Sequence, residues 1–171
     1  MIDFEKKRET PDHKEILAFF WEVVKIILVS LAIIIPVRYY LFQPFFVKGA
    51  SMEPTFNDGD YVLIDEISYS FRRPQRGEVI IFRSPKDHSQ FFIKRVIGLP
   101  DERIEIKNNK VAILNKQDVS EFLLDESIYL DPATQTIGNL QIDLNKNEYF
   151  VLGDNRLHSS DSRSWGTVNE N

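Results

Sequence analysis

Phe91-Phe92-Ile93-Lys94-Arg95-Val96-Ile97 is an apolar run with two adjacent cations inside it. Its length and composition, bounded by turn residues on both sides, read as a β-strand. Side chains alternate along a strand, so Phe92, Lys94 and Val96 share one face and Arg95 points to the other. Alternation does not say which face turns inward. A strand lysine ordinarily faces water, where an amine of pKa ~10.4 stays protonated at pH 7 and is no base. Burial of Lys94 would instead disfavour the ammonium, lower the pKa by roughly 3–5 units and free the amine.

Further strand-like segments lie outward from this run, at 45–48, 60–67, 78–83, 103–106, 110–114 and 149–152. Turn residues separate them: Asn57-Asp58-Gly59, Arg76-Gly77, Ser84-Pro85, Gly98-Leu99-Pro100 and Asn108-Asn109. The last pair predicts a hairpin with both asparagines at positive φ. Short strands with frequent turns make the chain mainly β, an antiparallel sandwich or barrel-like domain. Residues 116–147 are less regular and are expected to form an insertion.

The 171 residues suit one domain plus an appendage. A net charge of −5 argues against nucleic acid as a partner. The chain has no cysteine, which excludes disulfides, thiolate metal sites and a Cys nucleophile. No calcium-loop spacing and no His or Cys cluster is present, so neither a metal nor a cofactor is expected.

Before the β pattern, residues 16–37 are mostly apolar, interrupted by the charges of Glu22 and Lys25. That is about one bilayer crossing at ~1.5 Å per residue. Glu22 and Lys25 are three apart and can pair on a helix. The preceding segment is too acidic for a cleaved signal peptide, and the run is apolar all round after Lys25, unlike a core helix. Lys6, Lys7, Arg8, Lys14 and Lys25 precede the apolar core, and Arg38 and Lys48 follow it, which places the N-terminus in the cytoplasm. Tyr39, Tyr40, Leu41, Phe42, Phe45 and Phe46 read as an interfacial belt touching lipid, with Pro44 as the helix boundary. The expected division is a cytoplasmic tail at 1–15, a transmembrane helix and interfacial exit at 16–42, and an extracytoplasmic β domain at 43–171.

Ala50-Ser51-Met52-Glu53-Pro54-Thr55 follows directly, with a serine where the emerging strand meets a proline turn. A serine hydroxyl is a weak nucleophile and needs a base within hydrogen-bond reach. His13 precedes the apolar run, so a membrane would separate it from Ser51, and His88 sits in a polar loop. His158 lies near Asp154 and Asp161, which leaves a Ser-His-Asp triad open beside a Ser51/Lys94 pair. The loop 153–166 is dense in donors and acceptors, either a solvated turn or a shell that orients a base.

Four blocks in order carry a resemblance: Ser51-Met52-Glu53-Pro54-Thr55, Gly59-Asp60-Tyr61-Val62-Leu63, Lys94 through Glu102, and Gly153 through Gly166. With the upstream apolar run and Leu41-Phe42-Gln43-Pro44-Phe45, the chain resembles the bacterial type I signal peptidases over nearly its whole length. The resemblance implies a membrane-anchored serine endopeptidase with a Ser/Lys dyad, Ser51 as nucleophile and Lys94 as general base. It implies that Ser159 orients the lysine, that Asp161 and Arg163 brace the site, and that Met52 packs beside it. It implies removal of signal peptides from exported pre-proteins after small residues, at the outer face of the cytoplasmic membrane, by an expected monomer. Some family members place an oxyanion-stabilising serine two residues before the nucleophile; here that position is Gly49. The family also continues into a further strand after Gly166, where this chain runs only to Asn171, so a truncation or a weakened sheet edge is expected.

Overall fold

A computed structural model describes residues 13–40, 43–115 and 120–170, and the chain divides into two compact units, Met1–Gln43 and Pro44–Asn171. Within the first, helix α1 runs from His13 to Tyr40 and continues past Pro36. Its segment His13–Pro36 is 24 residues long and contains an 18-residue window with a mean hydropathy of 2.4, long and apolar enough to cross a membrane. Glu22 and Lys25 pair on its surface at 2.6 Å, as their spacing predicts. The expected tail falls mostly on residues 1–12, and Leu41 and Phe42 of the aromatic belt fall between the two elements; all lie outside the described residues. Pro44 does not bound the helix: α1 ends at Tyr40, and Pro44 lies inside strand β1 (Gln43–Phe46).

The second unit is built from antiparallel strands in three sheets. β1 pairs with β2 (Tyr61–Ile64). A short helix, α2 (Glu66–Phe71), follows β2, so the strand expected to reach residue 67 stops at Ile64. The reason is local: the Asp65 carboxylate accepts from Ser68 N and Ser68 Oγ, capping a helix where alternation suggested more strand. β3 (Val79–Arg83), β4 (Phe91–Gly98), β9 (Glu148–Leu152) and β10 (Val168–Asn169) form the sheet β10-β9-β4-β3. β5 (Glu102–Lys107), β6 (Lys110–Asn115), β7 (Glu121–Leu123) and β8 (Leu140–Asp143) form the sheet β7-β6-β5-β8. No closed barrel forms among the described residues.

The Asn108-Asn109 hairpin appears as the sequence predicts, with φ of 51° and 62° and Lys107 opposite Lys110. The irregular segment 116–147 supplies both edge strands of its sheet, β7 beside β6 and β8 beside β5, while residues 116–119 lie outside the described set. Beyond Gly166 the chain does add a strand, the short β10, which pairs with β9 through Val168 and Tyr149.

The core has two parts. Ile97, Ile104, Ile106, Ile113, Leu144, Phe150 and Leu152 pack on one side of β4 and β9. Val96, Tyr149, Val151 and Val168 pack on the other. The ladder between β4 and β9 shifts register between Val96 and Gly98. Gly98 allows close packing there, because a Cβ would lie 2.6 Å from Ile104 Cδ1. Since apolar side chains cover both faces of β4, neither of its adjacent cations is left in water: Lys94 is 4% exposed and Arg95 7%.

Candidate active site

The turn carrying Ser51 is held at its entry by strand-like bonds and at its tip by a loop distant in sequence. Val47 N donates to Asp60 O and Gly59 N to Val47 O, both at 2.9 Å, which extends the β1–β2 pairing. Gly49 follows with φ of +84°, in the left-handed region that favours glycine, and its N–H donates to Asp58 Oδ1 at 2.6 Å. Phe56 N donates to Met52 O, and the Met52 side chain is fully buried beneath the turn. From across the site, Asn155 N donates to Ser51 O (3.1 Å) and Asn155 Nδ2 to Ala50 O (3.0 Å).

Lys94 reaches this turn from the middle of β4. Its Nζ lies 2.7 Å from Ser51 Oγ and donates a second bond to Ile93 O at 2.9 Å. The ring of Phe92, two residues earlier on the same strand face, lies 5.5 Å from Nζ. Burial pulls the Lys94 amine down from the usual lysine range to about 8, against the opposing pull of the Asp161 and Asp154 carboxylates. At that value roughly a tenth of the amine is free base at pH 7, against about four in ten thousand for an ordinary lysine.

The other residues named from the sequence divide into groups. Asp161 is fully buried and caps the short helix α3 (Ser162–Trp165); it accepts from Arg163 Nε and Nη2, each at 2.8 Å, and from Gly153 N at 3.1 Å. Ser159 Oγ is buried and makes no hydrogen bond among the described residues, so a bond to Lys94 is absent from this arrangement. It packs against Gly153, where an added Cβ would sit 2.1 Å from Ser159 Oγ and 2.4 Å from Ser51 O. His158 is exposed, and the two acids beside it are committed elsewhere, Asp161 to Arg163 and Asp154 to Arg95, which leaves no triad.

Reasoning from the sequence missed the brace beneath the turn. Arg95 donates to Asp154 through Nε (2.8 Å) and Nη2 (2.6 Å), and to Gly77 O at 2.7 Å. Thr55 Oγ1 also donates to Asp154, which ties the far end of the Ser51 turn to the same carboxylate. Arg156 forms a second brace: Nε donates to Gly153 O, and the guanidinium pairs with Glu126 and Thr136 from the irregular segment. The available signal was the Lys94-Arg95 neighbourhood itself, since two adjacent cations in an apolar strand each need an internal partner.

The close approach at Gly153 makes a testable point. Gly153→Ala is expected to push Ser51 and Ser159 apart from it, cutting turnover by about 10²-fold through misplacement of the hydroxyl and costing ~1–3 kcal/mol of stability. Turnover and thermal melting of the variant, measured side by side, check both.

The model of the family described as "Signal peptidase, peptidase S26" matches residues 20–171. Signal peptidase I V of Bacillus subtilis is 35% identical over 158 residues, covering 88% of this chain and 91% of its own length. Signal peptidase IB of Staphylococcus aureus is 31% identical over 155 residues, covering 84% of this chain and 80% of its own. A crystal structure of a signal peptidase I from Enterococcus faecalis overlays with a TM-score of 0.46 at 30% identity, covering 58% of this chain and 92% of that one. A peptide-cleaving enzyme with a serine at its centre, a serine endopeptidase, is the class to which these findings lead. The chain belongs to the signal peptidase family, peptidase S26, whose members remove signal peptides.

Proposed function

We propose that this chain is a membrane-anchored endopeptidase that removes signal peptides from exported pre-proteins after small residues, with Ser51 as nucleophile and Lys94 as general base. The observation that carries the reading is a buried amine of lowered pKa held 2.7 Å from a serine hydroxyl. The neutral Lys94 amine takes the Ser51 proton as Oγ attacks the scissile carbonyl. The resulting ammonium then protonates the leaving amine as the C–N bond breaks, leaving an acyl-enzyme and a neutral lysine. The same amine deprotonates a water, whose attack releases the signal peptide's new carboxylate and returns the proton to Ser51.

The negative oxygen of each tetrahedral intermediate needs donors already in place. The Ser51 N–H makes no hydrogen bond among the described residues and is the donor proposed here. Gly49 brings no hydroxyl, and its N–H is taken by Asp58. Ser159 would orient the lysine amine, for which its buried, unpartnered hydroxyl is suited. Asp161, paired with Arg163, would keep Lys94 from losing its proton too readily, and Met52 would floor the turn.

The remaining assignments follow the chain. Residues 1–15 would lie in the cytoplasm, 16–42 would cross and leave the membrane, and 43–171 would work on its outer face. Phe46, Tyr61 and Leu63 are each at least 60% exposed, with the Phe46 and Tyr61 rings 4.2 Å apart, an apolar patch that supports lipid contact near the exit. Incubated in detergent with a pre-protein, the full chain is expected to release the mature form, and Ser51→Ala to abolish release. Undiminished release by that variant would overturn the reading.

A further inference from the structure

A cleft of about 520 Å³ opens beside the Ser51 turn and has no part in the chemistry described above. It is lined by Glu53 and Pro54, which follow the nucleophile, by Ile137 from the irregular segment, and by Asn155, Arg156 and Leu157. Neither β1 nor Lys94 contributes to it. Its lining charges are unequal in their commitments. Asp154 is paired with Arg95 and Arg156 with Glu126, but the half-buried Glu53 carboxylate has no hydrogen bond or ion pair among the described residues. Asn155 joins the cleft to the nucleophile, since the same residue bonds Ser51 O and Ala50 O.

We infer that this cleft receives the first residues of the mature protein, the part of the substrate beyond the cut, and that Glu53 favours a cationic side chain there. The inference rests on Ser51 being the nucleophile. Two residues of backbone span at most ~7 Å, so Glu53 stays close to the reacting carbon. An extended substrate advances ~3.3 Å per residue, which brings its second and third residues after the cut within reach of that carboxylate. Cleavage itself also produces a cation on this side, because the released amine is an ammonium at neutral pH. Leu157 and Ile137, 66% and 56% exposed, give the cleft apolar surface against which the stem of a long basic side chain can lie.

The test uses the full chain in detergent at low ionic strength, with peptide substrates differing only at the second or third residue after the cut, Lys against Glu. The wild type is expected to favour Lys in kcat/KM by about three- to fivefold at one or both positions, the size of a partly exposed ion pair. Glu53→Gln is expected to bring that ratio to about one, and Glu53→Lys to invert it. Added salt is expected to shrink the wild-type preference. A wild type without preference, or a preference unchanged in both Glu53 variants, overturns the inference. Failure of the Ser51 assignment would appear separately, as cleavage surviving in Ser51→Ala whatever the ratio.

Discussion

Lys94→Met is expected to lower turnover by roughly 10²–10⁴-fold, the usual contribution of a positioned base, while leaving the protein no less stable at neutral pH. Methionine matches the length of the lysine stem and suits the apolar slot around β4, but it cannot accept the Ser51 proton. Stability should hold because the native site penalises the ammonium: its pKa falls to about 8 there, from ~10.4 in the unfolded chain. Between those values the unfolded state carries a proton that the native state lacks, so wild-type stability rises with pH through this window. Below pH 8 both states are protonated and the full penalty applies. Methionine carries none of it. The stability advantage of the variant is therefore expected to be largest below pH 8 and to shrink toward pH 10. Wild-type turnover should climb with pH about a midpoint near 8, as the free amine becomes the major form. Thermal melts of both proteins across pH, with single-turnover rates alongside, test these statements together. A wild-type rate flat from pH 5 to 10, or a variant that keeps its turnover, would remove Lys94 from the reaction.

The same strand shows where reading from sequence worked and where it stopped. β3 to β6 and β9 were legible because each pairs an apolar run with turn chemistry at its ends, and Asn108-Asn109 marks its hairpin without outside help. β7, β8 and β10 contain 3, 4 and 2 residues, and such short pieces become strands only because a longer neighbour offers a free edge. β2 stopped early because Asp65 offered the backbone a cap, a side-chain choice that alternation does not weigh. Ser51 and Lys94 could be singled out as candidates, but the burial of Lys94 could not be decided from its own segment. Period-two reasoning assumes one wet face, whereas β4 lies between two clusters contributed by residues as distant as Leu144 and Val168. For the same reason Arg95 could be placed on the face opposite Lys94 but not given a partner, since Asp154 lies 59 positions further on.

That partner is the site of the largest expected loss of stability. Asp154→Ala is expected to cost about 3–5 kcal/mol, the range for removing one member of a buried ion pair. The side chains of Arg95 and Asp154 are 8% and 0% exposed, so little water can replace the missing carboxylate. A guanidinium cannot escape by losing its proton, and Gly77 O together with the Tyr129 ring, whose centroid lies 4.0 Å from Arg95 Cζ, cannot neutralise it. The loss should reach the chemistry as well, because Thr55 hangs from the same carboxylate and the next residue, Asn155, holds Ser51 O. For a unit of this size the midpoint of thermal unfolding should fall by roughly 10 °C or more. Asp154→Asn keeps an acceptor and the shape of the side chain but not its charge, and should fall between the wild type and the alanine variant. The decisive comparison is the double variant Arg95→Met with Asp154→Leu. If the single change hurts because it strands a charge, removing both charges should recover much of the lost stability, since apolar replacements of buried pairs are often well tolerated. Turnover should not recover with it, because leucine offers Thr55 no acceptor and the Ser51 turn stays untied at its far end. Recovery of both would mean that the pair serves only the fold; recovery of neither would mean that the packing around Asp154, not its charge, holds this part of the domain together.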